Sequence, residues 1–497
     1  MASIEEIRAG KLEKLELLKK AGMEPFAKEI SRDLALADVE GNFANLEKSG
    51  EKKTIAGRIM ALRGQGAIMF AVLRDGTGEF QTVFKKDDMD EDHFGLFQKT
   101  VDMGDFISVT GEFFVTKRGQ NSMLAREWKM ATKALLPLPE KWAGLQDVEE
   151  RYRKRYLDIL SNKETFDRFV VRGKIVSAIR RYFDDKGFLE IETPILQNQA
   201  GGAMAKTFNT HHNDFDIDMV LRISLEIEHK MLMVGGYDRV YEIGKNFRNE
   251  GSDPTHIQEF TMMEWYAAYE TLEINMNWTE ELLKSLAKDI IGKTKFTVYD
   301  KDGEGREVDF GGVWPRRRFD EIVKENTGLD ILSADRKELE KVALDLGIER
   351  DEMKKTGDAN LMDFIFKKSS RHKIIHPTFV TNYPGGLKPL AQQHEDGTAD
   401  VAQLVIAGSE ITNQYAELVD PIKERELLEA QSAAKEAGDD EAMDVNEEFL
   451  TAMEHGMPPM TGFGMGIDRL VAILTEQKNL RDVIFYPIMR PKEGPEE

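Results

Sequence analysis

Three stretches of the chain place polar residues at a spacing of two in strand-like sequence, and they are where chemistry could be done. The first is Tyr241-Glu-Ile-Gly-Lys-Asn-Phe-Arg-Asn-Glu-Gly251, followed by the loop Ser252–Gln258 and by Glu259-Phe-Thr-Met-Met-Glu-Trp-Tyr266. In an extended strand Phe260, Met262, Glu264 and Tyr266 share one face. An aromatic ring, a carboxylate and a phenol on the same side as Arg248 could hold a base, a charged substrate and a phosphate. The second stretch, Glu410-Ile-Thr-Asn-Gln-Tyr-Ala-Glu417, puts Asn413, Tyr415 and Glu417 on one face. In the third, Gly462-Phe-Gly-Met-Gly-Ile-Asp-Arg469, glycines allow close backbone approach, and Arg469 stands where a helix begins. Singly, each has a plain alternative. An Arg-Asn-Glu string is more often a surface ion-pair cluster, Phe260 and Tyr266 could be core, and a buried carboxylate could be satisfied by a lysine or arginine of the protein itself. The joint occurrence favours a site.

The elements that must position these residues follow from composition and pattern. A chain of 497 residues suggests about three folding units. It has no cysteine, which excludes disulfides, thiolate metal sites and a cysteine nucleophile. With 68 Lys plus Arg against 90 Asp plus Glu, the net charge is −22, which argues against a polybasic membrane-surface or histone-like protein. No apolar run approaches the roughly 20 residues of a membrane span, and the charged N-terminus has no signal-peptide core. The expectation is a soluble, cytoplasmic, multidomain protein. Residues 1–50 read as a helical extension, with Ser3 and Glu6 in capping-box spacing. Residues 51–135 hold five β-rich segments, Thr54–Leu62, Ile68–Leu73, Phe80–Phe84, Phe106–Val115 and Ser122–Met130, with an insertion before the fourth. They predict a Greek-key barrel of the OB type. This region carries 13 Lys/Arg against 12 Asp/Glu, a near-neutral patch on an acidic chain that could meet a polyanion. Phe70 and Gln81 fall on its paired strands, and an aromatic there could stack a single-stranded base.

Residues 136–160 read as a linker, with Pro137 and Pro139 stiffening it and Arg151-Tyr-Arg-Lys-Arg-Tyr156 a solvated or phosphate-contacting basic cluster. A helix is predicted over 162–186, ended by Gly187. From there to the C-terminus (161–497 as one domain) strands and helices alternate without βαβ rhythm. GxGxxG and GxxxxGK[ST] are both missing, so a nucleotide enzyme here must use another fold. Residues 423–448, with Glu424, Glu426, Glu429, Asp439, Asp440 and Glu441, read as an exposed charged helical insertion.

Gly187-Phe-Leu-Glu-Ile-Glu-Thr-Pro194, Phe247-Arg-Asn-Glu250 with Glu259-Phe-Thr261, and Gly464-Met-Gly-Ile-Asp-Arg469 resemble motifs 1, 2 and 3 of class II aminoacyl-tRNA synthetases. The barrel ahead of them is similar to that of the lysine, aspartate and asparagine subgroup. Gly201-Gly-Ala203, Thr210-His-His212, Phe260–Tyr266 and Pro377-Thr-Phe379 resemble bacterial lysyl-tRNA synthetases. The resemblance implies an α+β chain, an OB anticodon domain before an antiparallel catalytic sheet flanked by helices, in a cytoplasmic homodimer. Its activity would be ATP-dependent attachment of L-lysine to tRNA(Lys) through lysyl-adenylate, with Mg²⁺. By family position Arg248 would contact the α-phosphate and the substrate carboxylate. Phe260 and Arg469 would sandwich adenine, Glu250 and His256 would line the ATP site, and Glu410 would hold Mg²⁺. Glu417 and Tyr266 would take the ε-ammonium and Glu226 and Glu264 the α-amine, with Gly202, Asn413 and Tyr415 shaping the pocket. Arg63, Phe70, Gln81 and Glu127 align with anticodon-reading positions. Gln403 stands where the family usually has a second magnesium carboxylate. Thr255, Ile257 and Gln258 replace a more usual Arg, Asn and Pro, Ala200 a proline, and Tyr415 a phenylalanine. The alternatives are an asparaginyl- or aspartyl-type enzyme, a paralogue that lysylates a protein (these lack the barrel), and a non-catalytic RNA-binding relative.

Overall fold

The computed structural model describes residues 3–139, 145–203, 205–300, 303–354, 356–436 and 445–492. It divides into two compact units, Met1–Gln146 and Asp147–Glu497. In the first, helix α1 (Ile4–Lys20) begins on the expected capping box, Ser3 and Glu6 each bonding the other's backbone N–H. Strands β1 (Lys53–Gln65), β2 (Ile68–Arg74), β3 (Glu79–Lys85), β4 (Phe106–Val115) and β5 (Asn121–Thr132) close a barrel in the order β1-β2-β3-β5-β4. The insertion before β4 is helix α2 (Glu91–Thr100), whose Phe94 and Phe97 join the barrel core with Phe84 and Trp128. Lys133, fully buried, is held by Asp102 and Asp105 at 2.7 and 2.8 Å.

The second unit opens with helices α3 (Val148–Arg153), α4 (Arg155–Ser161) and α5 (Lys163–Asp185). The stretch 136–160 is thus not all linker: from Asp147 onward it belongs to this unit. The basic cluster is neither simply solvated nor free for phosphate. Arg155 is fully buried, donating to Asp158 at 2.7 Å and to the carbonyls of Arg481 and Phe485 at 2.7 and 3.1 Å. Arg151 also bonds Asp158, at 2.9 Å. Gly187, at φ +76°, ends α5 as its position predicts.

Next come β6 (Leu189–Glu190), α6 (Glu226–Val234), β7 (Arg239–Phe247), β8 (Glu259–Ala268), β9 (Arg316–Arg318), β10 (Thr378–Pro384), β11 (Thr398–Ile406) and β12 (Ser409–Ala416). Helix α7 (Pro421–Glu436), β13 (Met460–Gly466) and α8 (Ile467–Leu474) complete the elements that matter here. The eight strands form one sheet in the order β9-β10-β11-β12-β13-β8-β7-β6. It is antiparallel except at its two ends, where β9 and β6 pair in parallel. One face packs Met263, Trp265, Phe463 and Met465 against Ile179 and Phe183 of α5 and Leu470 and Val471 of α8, in the main core. The opposite face carries the polar residues of the three stretches.

The segment read as a solvated insertion is only partly so. In α7, Glu426 and Glu429 face solvent, but Glu424 and Leu428 are buried. Asp439, Asp440 and Glu441 lie outside the described residues. Among the described residues, no helix is long and apolar enough to cross a membrane.

Removing one partner of a buried ion pair costs about 3–5 kcal/mol, because the other charge stays unpaired. Asp158→Ala is therefore expected to lower the stability of the second unit by that amount, read by hydrogen exchange of the α5 amides. A loss below about 1 kcal/mol would contradict the role given to Arg155.

Candidate active site

Register sets the site. Glu264 on β8 lies opposite Gly464 on β13, Gly464 opposite Asn413 on β12, and Asn413 opposite Gln403 on β11. The next row on the same face runs Tyr266, Gly462, Tyr415. Glycines in the middle strand make room: a Cβ on Gly462 would collide with the Glu417 carboxylate and the Tyr266 ring, and one on Gly464 would come within 2.9 Å of Met262. Arg469 is placed by α8. Asp468 in its first turn accepts the Thr261 N–H at 2.7 Å and pairs with Arg172 at 2.6 Å.

The polar face holds two adjoining clefts. One, of about 850 Å³, is lined by Arg248, Glu250, His256, Phe260, Glu410 and Arg469. The other, of about 880 Å³, is lined by Gly202, Glu226, Glu264, Tyr266, Asn413 and Tyr415, and by Lys388. Arg248, Met262, Asn413 and Gly464 line both. All residues expected around the nucleotide and the amino acid are thus brought together, with Glu417 just behind Tyr266 and Gly462.

The first cleft sets two guanidinium groups, Arg248 and Arg469, among the carboxylates of Glu250, Glu410 and Asp468. Arg248 and Arg469 have no carboxylate within ion-pair distance among the described residues. Burial pushes both guanidinium groups below their ordinary range, against the pull of Glu410. Arg469 donates to the carbonyls of Glu410 and Thr255, at 2.6 and 3.3 Å. Arg248, rather than Arg469, lies over the Phe260 ring, 5.2 Å from its centroid. His256 is exposed and bonded to Asp253 at 2.9 Å.

The second cleft is anionic at its end. Lys230 of α6 is buried with its ammonium 2.6 Å from both Glu226 and Glu417. Burial opposes that charge, yet Glu226, Glu417 and Glu424 hold it well above the usual lysine range. The carboxylates outnumber it. Burial pushes Glu417 up to about 8 although Lys230 pulls it down, and pushes Glu424 up to about 7. Glu264 is also pushed up to about 7, by burial and by the Glu226 charge. It accepts from Ser224 Oγ and the Leu225 N–H at 3.1 Å each. Among the described residues, Glu417 Oε1 and Glu424 Oε1 have no hydrogen-bond partner. Such a surplus suits a ligand with two ammonium groups. Glu417, expected to take the substrate ε-ammonium, is already shared by a lysine of the protein, the partner that a buried carboxylate in this sequence could find within the chain. Lys230 was findable: it follows Glu226 by four residues, the ion-pair spacing of a helix. Glu424 and Lys388 had no such signal.

Glu410 accepts from Asn413 Nδ2, and Asn413 Oδ1 accepts from Gln403 Nε2 at 2.6 Å. No cluster of three or more metal-ligating side chains occurs among the described residues. One carboxylate fits a magnesium ion whose other ligands are phosphate oxygens and water. The neutral Gln403 amide, turned toward Asn413, does not fit a further metal.

On the barrel, Arg63 donates to Gln81 at 3.0 Å and lies 5.8 Å from the centroid of the half-buried Phe70 ring. Gln81 donates in turn to Ser122 at 2.8 Å. Glu127 is exposed on β5, near His93 instead of these three.

Comparison with known proteins agrees with this geometry. The family model for class II tRNA synthetases (D, K and N) matches residues 147–490, and that for an OB-fold nucleic acid binding domain matches 53–131. The lysine–tRNA ligase of Lactococcus lactis subsp. lactis is 43% identical over 504 residues, covering 99% of this chain and 100% of its own. That of Enterococcus faecalis is 42% identical over 96% of each chain. That of Prochlorococcus marinus is 42% identical over 99% of this chain and 98% of its own. With matches spanning both units and nearly every residue, the chain belongs to the lysine–tRNA ligase family of class II tRNA synthetases.

Proposed function

We propose that this chain is a ligase that activates L-lysine with ATP and transfers it to tRNA(Lys). The observation that carries this reading is the pairing of the two clefts: unpaired guanidinium groups in one, surplus buried carboxylates in the other. A triphosphate suits the first. Lysine, with two ammonium groups and one carboxylate, suits the second. Aspartate or asparagine would bring no second cation to Glu417 and Glu264, and aspartate would bring the wrong sign.

In the first step a lysine carboxylate oxygen forms a bond to the α-phosphorus, and the bond to the bridging oxygen breaks, its electron pair leaving on pyrophosphate. In the second, the tRNA terminal hydroxyl attacks the activated carbonyl, AMP leaves, and the hydroxyl proton passes to the departing phosphate or water. No protein nucleophile is required, so catalysis rests on positioning and on neutralising phosphate charge. Arg248, which lines both clefts, is placed to hold the carboxylate and the α-phosphate together. Phe260 and Arg469 offer adenine a ring and a planar cation. Glu250 and His256 border the nucleotide. Tyr266 and Glu417 close the far end of the pocket on the ε-ammonium, with Glu226 and Glu264 for the α-amine. Glu410 would hold Mg²⁺, which when bound screens phosphate charge. Arg63, Phe70 and Gln81, which meet on the barrel, form the anticodon-reading set, and Glu127, apart from them on β5, does not join it. Leu189, Ile195 and Leu196, exposed around motif 1, support a homodimer. The cytoplasm, where translation runs, is the expected location. Gln403 favours the rival, non-catalytic reading, and lysine-dependent ATP–pyrophosphate exchange decides between them.

Exchange is expected with lysine and absent with asparagine or aspartate. Glu417→Gln should raise the lysine KM about 100-fold, the scale of a lost charged hydrogen bond, with the ATP KM moved less than threefold. Near-normal lysine use would refute the pocket.

Glu264 and Glu417, raised to about 7 and about 8, retain protons near neutrality that a bound ammonium must displace. Lysine binding is therefore expected to release protons at pH 7 and to tighten from pH 6.5 to 8. Calorimetry in buffers of different ionisation enthalpy reads this, and proton uptake would contradict it.

Base stacking on an aromatic is worth about 1–3 kcal/mol. Phe70→Ala should accordingly lower tRNA charging about 10- to 100-fold and leave pyrophosphate exchange unchanged; the reverse pattern would overturn the assignment.

A further inference from the structure

Lys388 lies four residues beyond the end of β10 and lines the amino-acid cleft. Its ammonium sits 5.7 Å from the ring centroids of both Tyr383 and Tyr415 and donates a long hydrogen bond, 3.4 Å, to Asn413 Oδ1. Among the described residues it has no carboxylate within ion-pair distance. A half-buried ammonium without a counter-ion, inside a cleft, calls for an anion from outside.

Its neighbour explains which one. The oxygen of Asn413 that receives Lys388 also receives Gln403 Nε2 at 2.6 Å, and Asn413 Nδ2 donates to Glu410. Asn413 lines both clefts, so Lys388, bonded to it from the amino-acid cleft, reaches toward the junction where a lysine carboxylate and the α-phosphate of ATP would meet. The carboxylate bonded to Asn413 is that of Glu410. Gln403 offers no charge for a second metal, and a fixed cation shares its acceptor.

We propose that Lys388 supplies, as a fixed ammonium, the positive charge that a further carboxylate-bound magnesium would otherwise bring, so that the protein holds a single metal ion, at Glu410, with its ATP. This rests on the ATP and lysine reading above. An ammonium is a compact point charge with three donors, suited to phosphate or carboxylate oxygens. With its ammonium turned to the lysine carboxylate, Lys388 takes a catalytic role in the proposed reaction.

Two measurements on the full chain test this. Electron paramagnetic resonance with Mn²⁺ and α,β-methylene ATP counts bound metal. One ion per wild-type chain is expected, and two in the Gln403→Glu/Lys388→Ser double variant. Two ions in the wild type, or one in the double variant, would overturn the inference. In pyrophosphate exchange, Lys388→Met is expected to lower the rate about 100-fold, the scale of losing one preorganised charge, with the lysine KM moved less than threefold. An unchanged rate would overturn the catalytic role. Absence of lysine-dependent exchange in the wild type would instead remove the functional reading and leave the metal count as an independent result.

Discussion

One buried ammonium sustains the far end of the site. Lys230, 2.6 Å from both Glu226 and Glu417, is buried in a region that also buries Glu264 and Glu424. Carboxylates taken out of water without a cation would simply keep their protons. With one ammonium among several of them, the pocket is left part-way: charged enough to attract cations, and with enough protonated carboxyl to tolerate their absence. That incomplete neutralisation is the physical basis of selectivity for a ligand carrying two ammonium groups. A fully paired cluster would bind nothing, and an unpaired one would not stay ionised.

The sheet makes this possible by being two-sided. Alternate residues of β8 enter different worlds. Met263, Trp265 and Ala267 pack the core, while Phe260, Met262, Glu264 and Tyr266 face the clefts. The glycines of β13 turn the central strand into a floor, so side chains from β8 and β12 can meet above it. A register slip of one residue would send the chemistry into the core. The placing of the charges follows from this arrangement: guanidinium groups reach in from the β7–β8 loop and from α8, and buried carboxylates from β8, α6 and the end of β12.

Much of this was legible in the linear sequence because it is local. The five barrel strands, the Ser3/Glu6 capping box, the helix over 162–186 ended by Gly187, and the shared face of Phe260, Met262, Glu264 and Tyr266 all follow from spacing alone, and the structure bears them out. Local pattern misled where a charge was read without its partner. Arg155 sits in a run of basic residues yet is buried, because Asp158 and carbonyls near residue 484 surround it. Glu424 sits in a charged helix yet faces Lys230, nearly two hundred residues away. Gln81, on the barrel, is engaged by Arg63 and Ser122, which no strand pattern announces.

Spacing along the sequence determined the elements, and motifs resembling those of a known family pointed to nearly every residue that lines the clefts, since both are properties of neighbouring positions. Only the tertiary structure decided the electrostatics. Which carboxylates are buried together, that Lys230 already shares Glu417, and that Lys388 meets no carboxylate among the described residues near a neutral Gln403 depend on distances between segments far apart in the chain. Charge interactions act through space and through burial, and neither is written in the order of residues.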